Sequence, residues 1–259
     1  MQPIVSVNIM GGLGNQLFQV AAGYSYAKKQ NAQFAILNKK DNGNRAFYWD
    51  TILSCMKTYL VESLPTLQQW SEDVATMYKA LPTTIMDQNG LMINGYLQSS
   101  TYHIPGIKQL FKASLSKELS DKYHYLLANK QHVIVMHSRQ TDYLVHHNFH
   151  GPLDITYYER ALQKMTQDVA HPFIVLCGDD NQFWKQMKLP YPHVILEESD
   201  INTFALLQQF NHFIMSNSTF IWWCVYLADA KNVIVPAKWF GPTGPQEYEN
   251  IYESTWIRM

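Results

Sequence analysis

The chain has 259 residues, of which 47% are hydrophobic, 14% aromatic and 16% charged, and its formal net charge is −1. That length supplies the core of one large α/β domain or two small ones, and the near-neutral balance excludes the basic stripe of a nucleic-acid binder. Cys55, Cys177 and Cys224 lie far apart without CxxC spacing and read as reduced thiols of a cytosolic protein; the N-terminus lacks a basic leader, and the longest apolar stretch, Phe220 to Ala228, is too short for a membrane span.

Ile4 to Met10 is an apolar, β-branched run that predicts a strand ended by Gly11-Gly12. Leu17, Phe18, Ala21, Ala22, Tyr24 and Ala27 then fall at helical spacing, which predicts a helix starting near Asn15. Gln33 to Leu37 reads as a second strand, Leu64 to Ala80 as helical, and Ile107 to about Leu127 as a further helical segment. The second half alternates more clearly. Strands are predicted at Val133 to Met136, Phe173 to Cys177, His193 to Leu196, Phe213 to Met215 and finally Asn232 to Val235. Helices are predicted between them at Tyr157 to Met165, Asn181 to Met187, Ile201 to Phe210 and Phe220 to Ala228. Such alternation implies parallel sheets covered on both faces, with ligands bound past the carboxyl ends of the strands. Two α/β lobes are expected, 1–128 and 129–259, with the active cleft between them.

Four constellations sit at strand ends. Gly11-Gly12-Leu13-Gly14-Asn15-Gln16 is a glycine-rich turn, but Leu17 stands where G-x-G-x-x-G needs its third glycine, and no P-loop occurs. Gly12 and Gly14 open the turn, and Asn15 and Gln16 place two amides at a helix mouth, where N–H groups face a ligand. His137-Ser138-Arg139-Gln140-Thr141-Asp142-Tyr143 follows a buried strand. Arg139 can hold two phosphate oxygens at once, and Asp142 either orients it or forms a simple strand-end ion pair with it. Cys177-Gly178-Asp179-Asp180 offers carboxylates for a guanine edge, for a metal or for capping the next helix. Ser216-Asn217-Ser218-Thr219-Phe220 precedes an apolar helix, where capping and anion binding are compatible. Trp222-Trp223 reads as core. His146-His147-Asn148-Phe149-His150 has no Cys or Glu at ligand spacing and reads as a mobile loop rather than a metal site.

Taken in this order, the segments resemble the α-1,2-fucosyltransferases of glycosyltransferase family 11. Gly11 to Gln19 matches that family's G-G-L-G-N-Q-[LM]-F-Q. His137, Arg139, Asp142 and Tyr143 match H-x-R-R-x-D-Y; Asp179, Asp180 and Trp184 match S-D-D-x-x-x-W; Asn217 to Phe220 with Trp222 and Trp223 match N-S-[ST]-F-S-W-W. Gln140 replaces the second arginine, Gly178 the serine and Ile221 the second serine.

The resemblance implies a GT-B-like fold whose C-terminal lobe holds GDP-fucose and whose N-terminal lobe faces the acceptor. It implies inverting transfer without a metal or other cofactor to a hydroxyl of a glycan, usually O2 of a terminal galactose. It places Arg139 on the donor phosphates, Asp180 (alternatively Asp179) at guanine, Ser218, Thr219 and Phe220 around the phosphates, and Asn15 by the diphosphate or fucose. Gly12, Gly14, Gln16, His137 and Asn217 complete the expected substrate contacts, and Asp142 and His137 are the reachable candidates for a base. A GDP-sugar donor and a galactose-ending acceptor are the expected partners, with the enzyme in the cytoplasm, peripheral to a membrane where one carries the acceptor. The alternatives are another nucleotide-deoxysugar, which Gln140 raises, and a non-catalytic carbohydrate-binding protein.

Overall fold

The structure, a computed structural model, describes residues 2–259. It divides into two compact units: residues up to Phe111 together with Glu247–Glu253, and Lys112–Gln246 together with Ser254–Met259. Residues 112–128, assigned to the first lobe on sequence, group with the second unit.

In the first unit β1 (Ile4–Val7) runs into α1 (Leu13–Lys29), which begins two residues earlier than expected. Thirteen of its residues, from Leu13 to Ala27, are buried, and Lys28 and Lys29 close the last turn, where cations suit the helix dipole. The expected second strand is two: β2 (Gln33–Phe34) pairs with β1, whereas β3 (Ile36–Leu37) pairs with β4 (Leu60–Val61). The helix expected over 64–80 is absent. Its place holds β5 (Gln68–Ser71), which pairs in parallel with β6 (Gly90–Asn94). Leu64, Leu67 and Trp70 mimic a helical stripe, but ladder pairing decides the conformation, a common tertiary override of local pattern. The resulting sheet is parallel, in the order β2-β1-β6-β5, and α2 (Ile107–Phe111) follows.

The second unit opens with α3 (Lys117–Lys122), capped by Ser116, and α4 (His124–Ala128), so the helix expected over 107–127 is three short ones. Then come β7 (Val133–Ser138), α5 (Thr141–Val145), α6 (His147–His150), α7 (Ile155–Met165) and β8 (Phe173–Gly178). These are followed by α8 (Asn181–Trp184), β9 (His193–Ile195), α9 (Asp200–Leu207) and β10 (His212–Ile214). The unit closes with α10 (Thr219–Ala228), β11 (Asn232–Val235) and β12 (Ile257–Arg258). Asn232–Val235 is therefore not the last strand; the exposed pair Ile257–Arg258 is too short to show a strand pattern. The six strands are all parallel, in the order β12-β11-β10-β7-β8-β9.

Every residue of β7 is buried, as expected for a strand covered on both faces. One face packs Ile134, Met136, Leu176 and Ile214 against Tyr158, Leu162 and Met165 of α7 and Trp184. Trp222 and Trp223 are fully buried, each stabilising the core by roughly 2–3 kcal/mol. Among the described residues no helix is long and apolar enough to cross a membrane.

Candidate functional site

From β7 the chain moves outward through β8 and β9, then returns through β10 to pair on the other side of β7. The carboxyl ends of β7 and β10 thus form a topological switch point, the usual crevice for a nucleotide in this class of sheet. His137 at the end of β7 bonds Ser216 beyond β10, Nδ1 to Oγ, at 2.8 Å. Tyr157 and Tyr158, neighbours on α7, donate to the carbonyls of Met215 (2.8 Å) and His137 (2.9 Å), which fixes both strand ends.

Arg139 leaves the end of β7 and meets two carboxylates. Nε and Nη2 donate to Asp142 Oδ1 and Oδ2 at 2.8 and 2.9 Å, and Nε lies 3.2 Å from Asp179 Oδ2. Burial opposes the charge, but the Asp142 hydrogen bonds and the Asp179 and Asp142 charges outweigh it and hold the guanidinium above its ordinary pKa. Of five N–H donors two point at Asp142, which leaves three for another anion. The ion pair and the oriented cation, alternatives on sequence, are one arrangement.

Asp179 also accepts from Gln140 N (2.8 Å), Thr141 N (3.2 Å) and Thr141 Oγ1 (2.5 Å), so it caps α5 from outside. Asp180 is the N-cap of α8, with Oδ1 accepting from Gln182 N at 2.9 Å. Gly178 has φ +156°, and a Cβ there would stand 2.5 Å from the Ser138 carbonyl oxygen, so the glycine lets β8 hug β7 just before the two acids.

Gln140 is 3% exposed, and its Nε2 donates to Leu153 O. The side chain in place of the second arginine is thus directed at the chain leading into α7. Tyr143 stacks on His150 (4.2 Å, 5°), sits 5.8 Å beneath the Arg139 guanidinium and donates to Asn217 O. Asn217 Nδ2 in turn donates to the carbonyls of His150, Gly151 and Trp239. Within the histidine run His147–His150 form the short helix α6, stitched down by these bonds, where a loop was expected.

Burial pushes the His137 pKa down to about 3, and its ring stacks on Phe220. A neutral imidazole that weakly basic is a poor proton acceptor at neutral pH, and both oxygens of Asp142 are engaged by Arg139. Ser218 occupies the N-cap of α10 without a side-chain capping bond, and Thr219 and Phe220 begin the helix. The helix terminus carries roughly half a positive charge beside Arg139's strand.

In the first unit Gly12 is the N-cap of α1 and Gly14 lies in its buried first turn. Gln16 Nε2 donates to Gly11 O and Ala46 O, and Asn15 Oδ1 accepts from Gln98 Nε2 at 3.0 Å. Gln19 joins Met10 N to Gly95 O. Ser216 and Gln19 stand in the sequence motifs and Tyr157–Tyr158 at a helix start, but no local pattern gave the partners of these side chains.

The profile of the family described as Glycosyl transferase family 11 matches residues 78–259. The chain is 23% identical to the O-antigen biosynthesis glycosyltransferase WbnK of Escherichia coli, over 97% of this chain and 99% of that one. It is 22% identical to an alpha-1,2-colitosyltransferase of Escherichia coli, over 99% of each. It is 24% identical to galactoside alpha-(1,2)-fucosyltransferase 2 of Oryctolagus cuniculus, over 93% of this chain and 71% of that one. The crystal structure of NodZ alpha-1,6-fucosyltransferase co-crystallised with GDP superposes with a TM-score of 0.53 at 13% identity, covering 88% of this chain and 91% of that one. The fold is GT-B-like, as in that enzyme.

Proposed function

The chain belongs to glycosyltransferase family 11, and from that membership we propose that it transfers L-fucose from GDP-fucose, with inversion and without a metal, to O2 of a terminal galactose on a glycan. The observation that carries the reading is Arg139, locked by Asp142 and Asp179 with three donors left over, just past the end of β7 at the switch point where α10 begins.

In the proposed reaction the acceptor hydroxyl oxygen attacks the anomeric carbon in line, the bond to the β-phosphate breaks with its electron pair left on phosphate, and the hydroxyl proton passes to the departing phosphate or to solvent. Arg139 and the Ser218–Thr219 helix terminus stabilise that developing charge. Asp142 is assigned to orienting Arg139. Asp180, whose second oxygen is not used in capping, is the favoured guanine contact over Asp179, and Asn15 is retained as a contact to the sugar. The first unit is assigned to the acceptor and the second to the nucleotide, in a cytoplasmic enzyme peripheral to any membrane that carries its acceptor.

A second reading, transfer of a different nucleotide-deoxysugar, is favoured by the similarity to a colitosyltransferase along the whole chain. Calorimetry against GDP, UDP and dTDP tests the donor base. A donor-by-acceptor screen with the product linkage read by NMR then tests the sugar, with fucose joined α-1,2 to galactose as the expected product. Preference for UDP, or turnover with another deoxysugar only, overturns the first reading.

A further inference from the structure

Glu72 follows β5 directly, and its carboxylate turns in under the loop that leaves β6. Oε1 accepts from Tyr96 N, and Oε2 from Leu97 N at 2.9 Å. Burial raises the Glu72 pKa, and the two N–H groups offset this in part. Gly95 has φ +152°, and a Cβ there would stand 2.4 Å from Glu72 Cδ, so only glycine lets the loop close over the acid. Leu97, fully buried, adopts φ +57°, a conformation that costs a non-glycine residue on the order of 1–2 kcal/mol. Further bonds hold the loop in place: Gln19 Nε2 to Gly95 O, Gln98 N to Ala75 O, and Gln98 Nε2 to Asn15 Oδ1.

A clamp this strained is not needed to end a strand. Its product is the placement of Tyr96, which lies between the two unusual residues, is 36% exposed, and has a ring in no hydrogen bond or ring pair among the described residues. The position is telling. The chain leaves β1 toward β2 on one side and returns through β5 and β6 on the other, so β1 and β6 flank the first unit's own switch point. Strained backbone held in place by its surroundings is characteristic of ligand clamps, and an exposed tyrosine suits a pyranose, whose C–H face packs on an aromatic ring. Within the loop Gln98 is neutral and Glu72 beneath it is acidic, which favours a neutral sugar over a diphosphate.

We infer that Tyr96 is the platform on which a pyranose of the acceptor rests, and that Glu72 is a positioning residue which sets the loop. The inference deepens the reading of the chain as a sugar transferase and rests on it.

The test uses the full chain with GDP-fucose and a panel of methyl pyranosides, beginning with methyl β-galactoside, and follows GDP release with and without each glycoside. Tyr96→Ala is expected to raise the acceptor KM at least tenfold while leaving GDP affinity and acceptor-free hydrolysis unchanged; Tyr96→Phe stays within twofold of wild type. An unchanged acceptor KM in Tyr96→Ala, or a loss of GDP affinity there, overturns the inference. A wild-type enzyme that binds GDP but is stimulated by no pyranoside overturns it too and leaves the nucleotide reading intact. A chain that binds no GDP overturns the nucleotide reading instead. Saturation-transfer NMR with the same glycosides then decides the platform: contact in wild type that disappears in Tyr96→Ala supports it, and equal contact in both refutes it.

Discussion

Replacing Asp179 by asparagine keeps the shape of the side chain and removes its charge. In the wild-type protein that carboxylate accepts from Gln140 N, Thr141 N and Thr141 Oγ1 and lies 3.2 Å from Arg139 Nε. An asparagine offers one oxygen where the aspartate offers two, and its NH2 must face N–H groups that need an acceptor. At an effective dielectric near 20 the gross attraction across 3.2 Å is about 5 kcal/mol. Desolvation cancels much of that, and removing one partner of a mostly buried pair costs about 3 kcal/mol. The side chains are 23% and 16% exposed, so solvent screening reduces this only modestly. For a chain of this size the loss lowers Tm by about 6–10 °C. The guanidinium, now held by Asp142 alone, also loses its aim, and kcat is expected to fall by about one to two orders of magnitude, as when an oxyanion-stabilising group is lost. Thermal melts and initial rates on Asp179→Asn measure both. A variant with wild-type Tm and kcat but altered preference among GDP, UDP and dTDP would refute the positioning role and make Asp179 the base-reading residue.

Gln140→Arg restores the residue of the family motif but puts a charge into a site 3% exposed; it should destabilise by at least about 3 kcal/mol without tightening GDP binding, and tighter binding at equal stability would show that the side chain can reach the donor. Asn217→Ala removes the amide that three carbonyls share and should cost about 2–4 kcal/mol, seen as a lower urea midpoint and faster proteolysis near His150; an unchanged midpoint contradicts that anchor. His103 and His137 both have pKa values held down to about 3 by burial, against about 6.5 in the unfolded chain. The unfolded state therefore binds more protons between those limits, so stability rises with pH there, by about 1.4 kcal/mol per pH unit for each histidine. Melts at pH 7, 6 and 5 should show Tm falling with acidification, and a flat profile contradicts the buried neutral imidazoles.

The second unit was the more legible in the sequence, for a physical reason. Val133 to Met136 and Phe173 to Cys177 lie in strands buried on both faces, so they appear as continuous apolar runs between helices of clear period. In the first unit β2, β3 and β4 are two residues long, and β5 presents Gln68, Gln69 and Ser71 to solvent, leaving no alternation to read. The strand-end motifs named residues that the structure gathers at the ends of β7, β8 and β10, but not the bonds among them. Sequence could suggest that Asp142 orients Arg139, because the two are three residues apart. It could not show that Asp179, forty residues on, caps α5, nor that Gln19 and Gln98 tie the glycine turn to the loop after β6. Such roles depend on side-chain bonds between segments distant in the chain, and no local pattern records them.

The central claim is that Arg139 grips the diphosphate of a nucleotide-sugar donor, and Arg139→Ala tests it most directly. With the fold verified by an unchanged circular dichroism spectrum, GDP affinity and kcat on GDP-fucose are measured side by side with wild type. The account predicts a loss of about 2–4 kcal/mol of transition-state stabilisation, a fall in kcat/KM of two to three orders of magnitude, with weaker GDP binding. Near-wild-type turnover and GDP affinity in a folded Arg139→Ala protein would contradict it.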